Sequence, residues 1–154
     1  MLKRSLPRLL IVLVLVLSLF AGCAQTGSGG KKIDKNKAEI VVGGVRSQTG
    51  AQAVFDQTAF GPCYRMWVDE VNAAGGIYVK EYDKKMPIKL IIYDDTSDMG
   101  TMTQMYQKLI LEDKVDFLLP PTSTAFLAAA APIAAEYGYL LIGDAASFLD
   151  PFPG

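Results

Sequence analysis

Four short apolar runs recur along the chain with stretches of helical periodicity between them, and this alternation limits the possible folds more than any other feature. The runs occupy residues 40–45, 88–93, 115–119 and 139–142 and are rich in Ile, Val and Leu. Runs this short and nearly continuous suit strands that are covered on both faces. After the first run, Tyr64, Trp67, Val68 and Val71 fall at i, i+3, i+4 and i+7, which predicts a helix from Phe60 with Pro62 in its first turn. Gly75 and Gly76 follow its last periodic residues and supply the left-handed backbone of a helix end. Trp67 is expected in the core and Cys63 as a small packing residue. A lysine-rich turn over residues 80–85 leads to the second run. Met102, Met105, Tyr106, Leu109 and Ile110 then form the apolar face of a second helix, with Ser97 or Asp98 as its N-cap. A third helix is predicted over 125–137, bent near Pro132 and closed by Gly138. Strand and helix alternating in this way predict an α/β fold: a parallel, Rossmann-like sheet with helices on both faces and right-handed crossovers.

In such sheets, ligands bind outside the carboxyl ends of the strands. The loops at those ends span residues 46–50, 94–98, 120–124 and 143–147 and are rich in Ser, Thr, Gly and Ala. That chemistry offers hydroxyls and close backbone approach, so it favours recognition by hydrogen bonds over proton transfer. Thr122, Ser123 and Thr124 stand where a strand runs into an alanine-rich helix. Three hydroxyls beside open N–H groups suit a small anion such as a carboxylate. Ordinary N-capping is the competing reading of the same residues. Asp94 and Asp95 are expected to cap a helix and line a cleft rim.

Composition narrows the chemistry further. The 154 residues are half apolar and one-fifth charged, enough for a globular domain with a core. There is no histidine, the commonest general base and metal ligand, and the two cysteines cannot form a zinc-type ligand spacing. Neither a cofactor nor a metal is expected. The formal charge of −1 comes without a basic stripe, which argues against a nucleic-acid partner. The glycines after the first strand do not fit the dinucleotide fingerprint, and no G-x-S-x-G elbow occurs. Phospho-receiver domains place an acid after the third strand, where this chain has Pro120, Pro121 and Thr122. The protein is therefore expected not to be an enzyme.

The N-terminus carries a separate message. Lys3, Arg4 and Arg8 precede an apolar run over 9–17, and small residues follow before Cys23. The run is too short to span a bilayer and has the layout of a secretory signal peptide over residues 1–22. Leu19, Phe20, Ala21, Gly22 and Cys23 resemble a bacterial lipobox, with Phe20 where the pattern prefers Leu. That resemblance implies that Cys23 is lipidated and that the protein is anchored to a membrane outside the cytoplasm. Residues 23–38 are polar and Gly-, Ser- and Lys-rich, a composition expected of a flexible tether.

The body at 39–154 resembles the first lobe of the type I periplasmic binding proteins, in the branched-chain amino-acid (Leu/Ile/Val) group that serves ABC importers. Its landmarks are Ser47 to Gly50 after the first strand, the helix end Val71, Asn72, Ala73, Ala74, Gly75, Gly76 and Ile77, and Tyr93, Asp94 and Asp95 closing the second strand. Thr122 to Thr124 and then Ala145, Ala146 and Ser147 complete the pattern in order. The resemblance implies two lobes closing on a solute between them. It places Thr122, Ala145, Ala146 and Ser147 at the solute's carboxylate and ammonium, and Phe55 near an aromatic wall. Pro120 and Pro121 lack N–H groups, so loop donors begin at Thr122. The family's second lobe has no counterpart in these residues, which points to a truncated N-terminal lobe. The expected partners are a branched-chain amino acid or related small polar solute, an ABC permease, and a membrane reached through the lipid anchor. A ligand-sensing domain of a receptor on the same fold is the alternative, and a secreted enzyme with its catalytic residues elsewhere is a third reading.

Overall fold

The computed structural model describes residues 36–143. Three parallel strands form its main sheet: β1 (Ile40–Arg46), β4 (Ile88–Asp94) and β5 (Phe117–Leu118), in the order β4-β1-β5. β1 pairs with β4 along its whole length, from Ile40 opposite Ile88 to Arg46 opposite Asp94. On its other side, Val42 and Gly43 pair with Phe117 and Leu118. The predicted fourth strand is reduced to a parallel bridge between Leu118 and Leu141, held by the Leu118 N–H on the Leu140 carbonyl and the Ile142 N–H on the Leu118 carbonyl.

Two helices connect the strands and a third follows the last of them. Helix α1 (Gly61–Ala73) lies between β1 and β4, α2 (Met99–Leu111) between β4 and β5, and α3 (Thr124–Glu136) after β5. The turn expected from the lysines is a small hairpin, β2 (Ile77–Val79) and β3 (Lys84–Met86), joined by a 3-10 turn at Lys80–Tyr82. Strands of three residues are too short for an alternation to register in the sequence.

The period of two along β1 sends alternate side chains to opposite layers. Val41 and Val45 face a core built with Met102, Tyr106 and Leu109 of α2 and Phe126, Ala130 and Ala134 of α3. Ile40 and Val42 face a second core with Tyr64, Val68 and Val71 of α1. Helices therefore cover both faces, as the sequence predicts. The end of α1 explains the Asn-Ala-Ala-Gly-Gly run. The Asn72 carboxamide donates to the Ile88 carbonyl (2.9 Å) and accepts from the Ile88 N–H (2.8 Å), tying the helix end to the start of β4. The Gly76 N–H returns to the Val71 carbonyl at 2.9 Å, a Schellman-type closure.

Three local expectations change. The helix predicted from Phe60 begins earlier, with a helical turn at Ala53–Phe55 and a π-helical turn at Asp56–Phe60 running into α1. Cys63 is exposed, on the solvent side of α1. Trp67 is 40% exposed and outside both cores. It sits at the margin of the stripe formed by Tyr64, Val68 and Val71. There it borders an apolar trough of about 550 Å3 with Ile77, Phe117, Leu119, Leu140 and Ile142. The trough lies on the sheet face beside β5, and neither Ser47 nor Thr122 lines it, so it is separate from the strand carboxyl ends.

Candidate functional site

Parallel order places the ends of β1, β4 and β5 side by side, and the loops leaving them are welded together by side chains. Asp94, the last residue of β4, accepts from the Gln48 N–H (2.9 Å), the Thr49 N–H (3.1 Å), the Thr49 hydroxyl (2.7 Å) and the Thr96 N–H (2.9 Å). Ser97 completes the join, its hydroxyl donating to the Thr49 carbonyl at 2.8 Å and accepting from the Gln52 N–H at 2.9 Å. Gly50 is needed here: its φ is +84°, and a Cβ would stand 2.4 Å from the Thr96 carbonyl oxygen. Thr96 and Ser97 also have left-handed backbones, with φ of 53° and 63°. Such a conformation is costly for a β-branched residue, and the Thr96 and Ser97 N–H groups hold it in place by donating to Asp94 and Asp95.

The two acids do different work. Burial pushes Asp94 upward, but the bonds from Thr49, Thr96 and Gln48 outweigh it and bring the carboxyl below its ordinary range. Asp95 is fully buried, and that burial raises it despite the Ser47 hydroxyl and the Ser97 N–H. Asp95 Oδ2 and Ser47 Oγ are both buried without a hydrogen bond of regular geometry, although the hydroxyl is near enough to favour the carboxylate. Neither acid caps α2. Asp98 does, accepting from the Thr101 N–H at 2.7 Å, and that bond lowers its own carboxyl.

The shifts have opposite consequences for stability. A depressed carboxyl such as Asp94 stabilises the fold above the ordinary value near about 3.9 and loses that contribution as pH falls through its folded value. A raised one such as Asp95 carries a penalty at neutral pH that disappears as it takes up a proton in acid. Asp94→Asn is accordingly expected to lower the urea midpoint more at pH 7 than at pH 3. Asp95→Asn keeps an acceptor for the Ser97 N–H and brings a donor toward Ser47, so its effect on the midpoint should be more favourable at pH 7 than at pH 3.

Thr122 lies where β1 and β5 diverge. Its side chain is buried, and its Oγ1 accepts the Ser47 N–H at 2.8 Å. Capping is therefore not what this hydroxyl does. The N-cap of α3 is Ser123, and no side chain caps that helix. Because the Thr122 oxygen accepts the Ser47 N–H, its own proton points away from that N–H and can be donated elsewhere. A buried hydroxyl beside a helix start without a side-chain cap has the chemistry to donate to the acceptor end of a small polar molecule.

The sequence matches the family described as periplasmic binding protein over residues 39–153, most of the chain. The chain belongs to the periplasmic binding protein family. Solved structures agree, and the described residues form part of the type I fold of that family. The branched-chain amino acid transporter substrate binding protein LivJ from Streptococcus pneumoniae, solved with isoleucine, is 26% identical with a TM-score of 0.64, over 73% of this chain and 30% of that one. A substrate-binding periplasmic protein from Ralstonia solanacearum is 25% identical, TM-score 0.60, over 68% and 28%. A leucine binding protein, LivK from Thermotoga maritima, shares the fold at 17% identity and TM-score 0.52, over 66% and 26%. The chain thus spans less than a third of the length of these structures.

Of the residues expected at a family site, Thr122 joins Ser47 at the strand ends. Phe55 stands on the helical turn after the β1 loop, 56% exposed and outside the contacts that link Arg46, Ser47 and Thr122. Ala145, Ala146, Ser147 and Cys23 lie outside the described residues, as do residues 1–22 and most of 23–38, where the signal peptide and tether are expected. Arg46 and Asp56 are partners that the sequence does not mark as such. Arg46 reads as a loop residue, yet it is the last residue of β1 and fully buried, with its Nε 3.0 Å from Asp56 Oδ1. The available signal was its spacing: Arg46 continues the i, i+2 series of Val42 and Gly44 onto an inward face.

Proposed function

We propose that this chain belongs to an extracytoplasmic solute-binding protein that captures an amino acid or related small polar solute for an ABC-type importer. The observation that carries the reading is the Thr122 hydroxyl, held on the Ser47 N–H at the carboxyl end of a family fold, with its proton left to donate. A solute carboxylate is the natural acceptor. A branched-chain amino acid is the first candidate, because the LivJ structure at 26% identity holds isoleucine. In this reading Ala145, Ala146 and Ser147 supply further contacts to the carboxylate and ammonium, and exposed Phe55 forms a wall against the solute side chain. The second lobe closes over them, and Cys23 carries a lipid that keeps the protein beside its permease. Binding and release without covalent change is the whole of its chemistry.

Hydrogen bonds to a charged ligand contribute about 1.5–3 kcal/mol each, so a few of them with side-chain burial reach micromolar affinity. In the full-length protein, at least one compound from a panel of amino acids, amides and aromatic acids should raise the melting temperature. A flat response across the panel would reject the proposal. Thr122→Val keeps the shape of the side chain and removes both its donor and the acceptor of the Ser47 N–H. It is expected to weaken binding at least tenfold, measured by calorimetric titration, while circular dichroism stays unchanged.

A further inference from the structure

The last residue of β1 is a buried arginine whose guanidinium reaches the loop that carries Thr122. Arg46 Nη1 donates to the carbonyls of both Pro120 and Pro121, each at 3.0 Å. Its Nε is paired with Asp56 Oδ1, with both side chains almost wholly buried. The guanidinium carbon lies 4.3 Å from the Phe60 ring centroid and 5.7 Å from that of Tyr64, so aromatic faces of the π-helical turn and α1 stack beside the cation. Nη2 is buried with no partner among the described residues.

Pro120 and Pro121 explain why the loop needs this anchor. Neither has an N–H, so neither can donate to a sheet ladder, and their buried carbonyls still require donors. One guanidinium nitrogen serves both. The backbone of the next residue, Ser47, then holds the hydroxyl of the next loop residue, Thr122. Two consecutive residues at the end of β1 thus grip three consecutive residues at the end of β5, where the sheet order opens a crevice.

We propose that Arg46 is a positioning residue for the solute site: its guanidinium fixes the Pro120 and Pro121 carbonyls and thereby keeps the Thr122 hydroxyl on the Ser47 N–H, with its proton directed at the solute. Arg46 touches no solute and acts through Thr122. This inference rests on the solute-binding reading above, but its geometric half holds without any solute. Lysine does not replace the arginine here, because an ammonium lacks the planar fork that reaches Asp56 and two carbonyls together.

The test uses the full-length protein with the paired variant Arg46→Met/Asp56→Leu, which leaves no buried carboxylate unpaired, and with Arg46→Lys. Without ligand, hydrogen exchange at the Ser47 amide is expected to quicken at least tenfold in either variant, while the amides of the β1–β4 ladder keep their protection. In calorimetric titrations with L-isoleucine, the paired variant should bind at least tenfold more weakly. In a Thr122→Val background the same pair of substitutions should cost less than threefold, because the group through which Arg46 acts is already gone. Unchanged exchange at Ser47, or equal losses in both backgrounds, would overturn the inference and leave Arg46 as a stabilising residue only. If the unsubstituted protein binds neither L-isoleucine nor any other compound of the panel, the solute-binding reading fails, and the exchange measurement alone decides whether Arg46 holds Thr122. Should the paired variant not fold, Arg46→Lys is read by the same two measurements.

Discussion

Asp56→Ala is expected to destabilise the fold by about 3–5 kcal/mol, the usual cost of leaving one member of a buried ion pair alone. The side chains of Arg46 and Asp56 are 1% and 4% exposed, so water cannot take the place of the lost carboxylate. Arg46 cannot swing outward without abandoning the Pro120 and Pro121 carbonyls. The position of Asp56 also depends on local backbone. It opens the π-helical turn, accepts the Gly61 N–H on its own carbonyl, and stands so close to Gly61 that a Cβ there would meet Oδ2 at 2.9 Å. A π turn inserts one residue relative to an α-helix, and here it turns Asp56 inward while bringing Phe60 over the guanidinium. Urea denaturation at pH 7 measures the loss. Adding Arg46→Met to an Asp56→Leu chain should restore only part of it: no charge is then buried alone, but the Pro120 and Pro121 carbonyls lose their donor. High salt should change the single-variant deficit little, since a pair this buried is poorly screened.

Gly76→Ala is expected to cost about 3 kcal/mol or more, combining left-handed strain with a backbone collision. The φ of Gly76 is +93°, and a Cβ would lie 2.2 Å from the Met86 carbonyl oxygen and 2.8 Å from the Pro87 nitrogen. Both neighbours are main chain, so no rotamer change relieves the contact. Relief would require moving β3 away from the end of α1, at the expense of the Asn72 bonds to Ile88. Gly75, by contrast, has a φ of +85° but only the Lys85 side chain 3.7 Å from a built Cβ. Gly75→Ala should therefore be distinctly milder, by the strain of a left-handed alanine alone. Thermal unfolding of the two variants side by side separates conformational strain from collision.

The strands, helices and two-faced cores were legible because burial imposes periods that survive in a linear sequence. The face of α2 expected from Met102, Tyr106, Leu109 and Ile110 is the face that is buried. The helix stop at Gly75 and Gly76 was legible for the same reason, since few residues other than glycine accept a left-handed backbone. The β2–β3 hairpin leaves no periodic mark in the sequence, because three-residue strands hold less than two full periods. The exposure of Trp67 was not legible, because the period of α1 says which side of the helix faces inward, but not whether neighbouring elements close over it; here Trp67 borders an open trough.

Chemistry at the strand ends divides along the same line. The sequence by itself determined that hydroxyl-rich and glycine-rich loops gather at the carboxyl ends of a parallel sheet, since strand order and chain direction suffice for that. It also singled out Thr122 as the first loop residue with both a hydroxyl and an N–H. Only the tertiary structure decided what each group does. Thr122 meets Ser47 across 75 positions of sequence and so does not cap α3. Asp94 binds the β1 loop across 45 or more positions, leaving the α2 cap to Asp98. Arg46, a loop residue by composition, is a buried cation gripping two proline carbonyls. The physical reason is common to all three. A polar side chain has several possible partners within local reach, and which one it takes depends on which distant donor or acceptor the fold buries beside it without water.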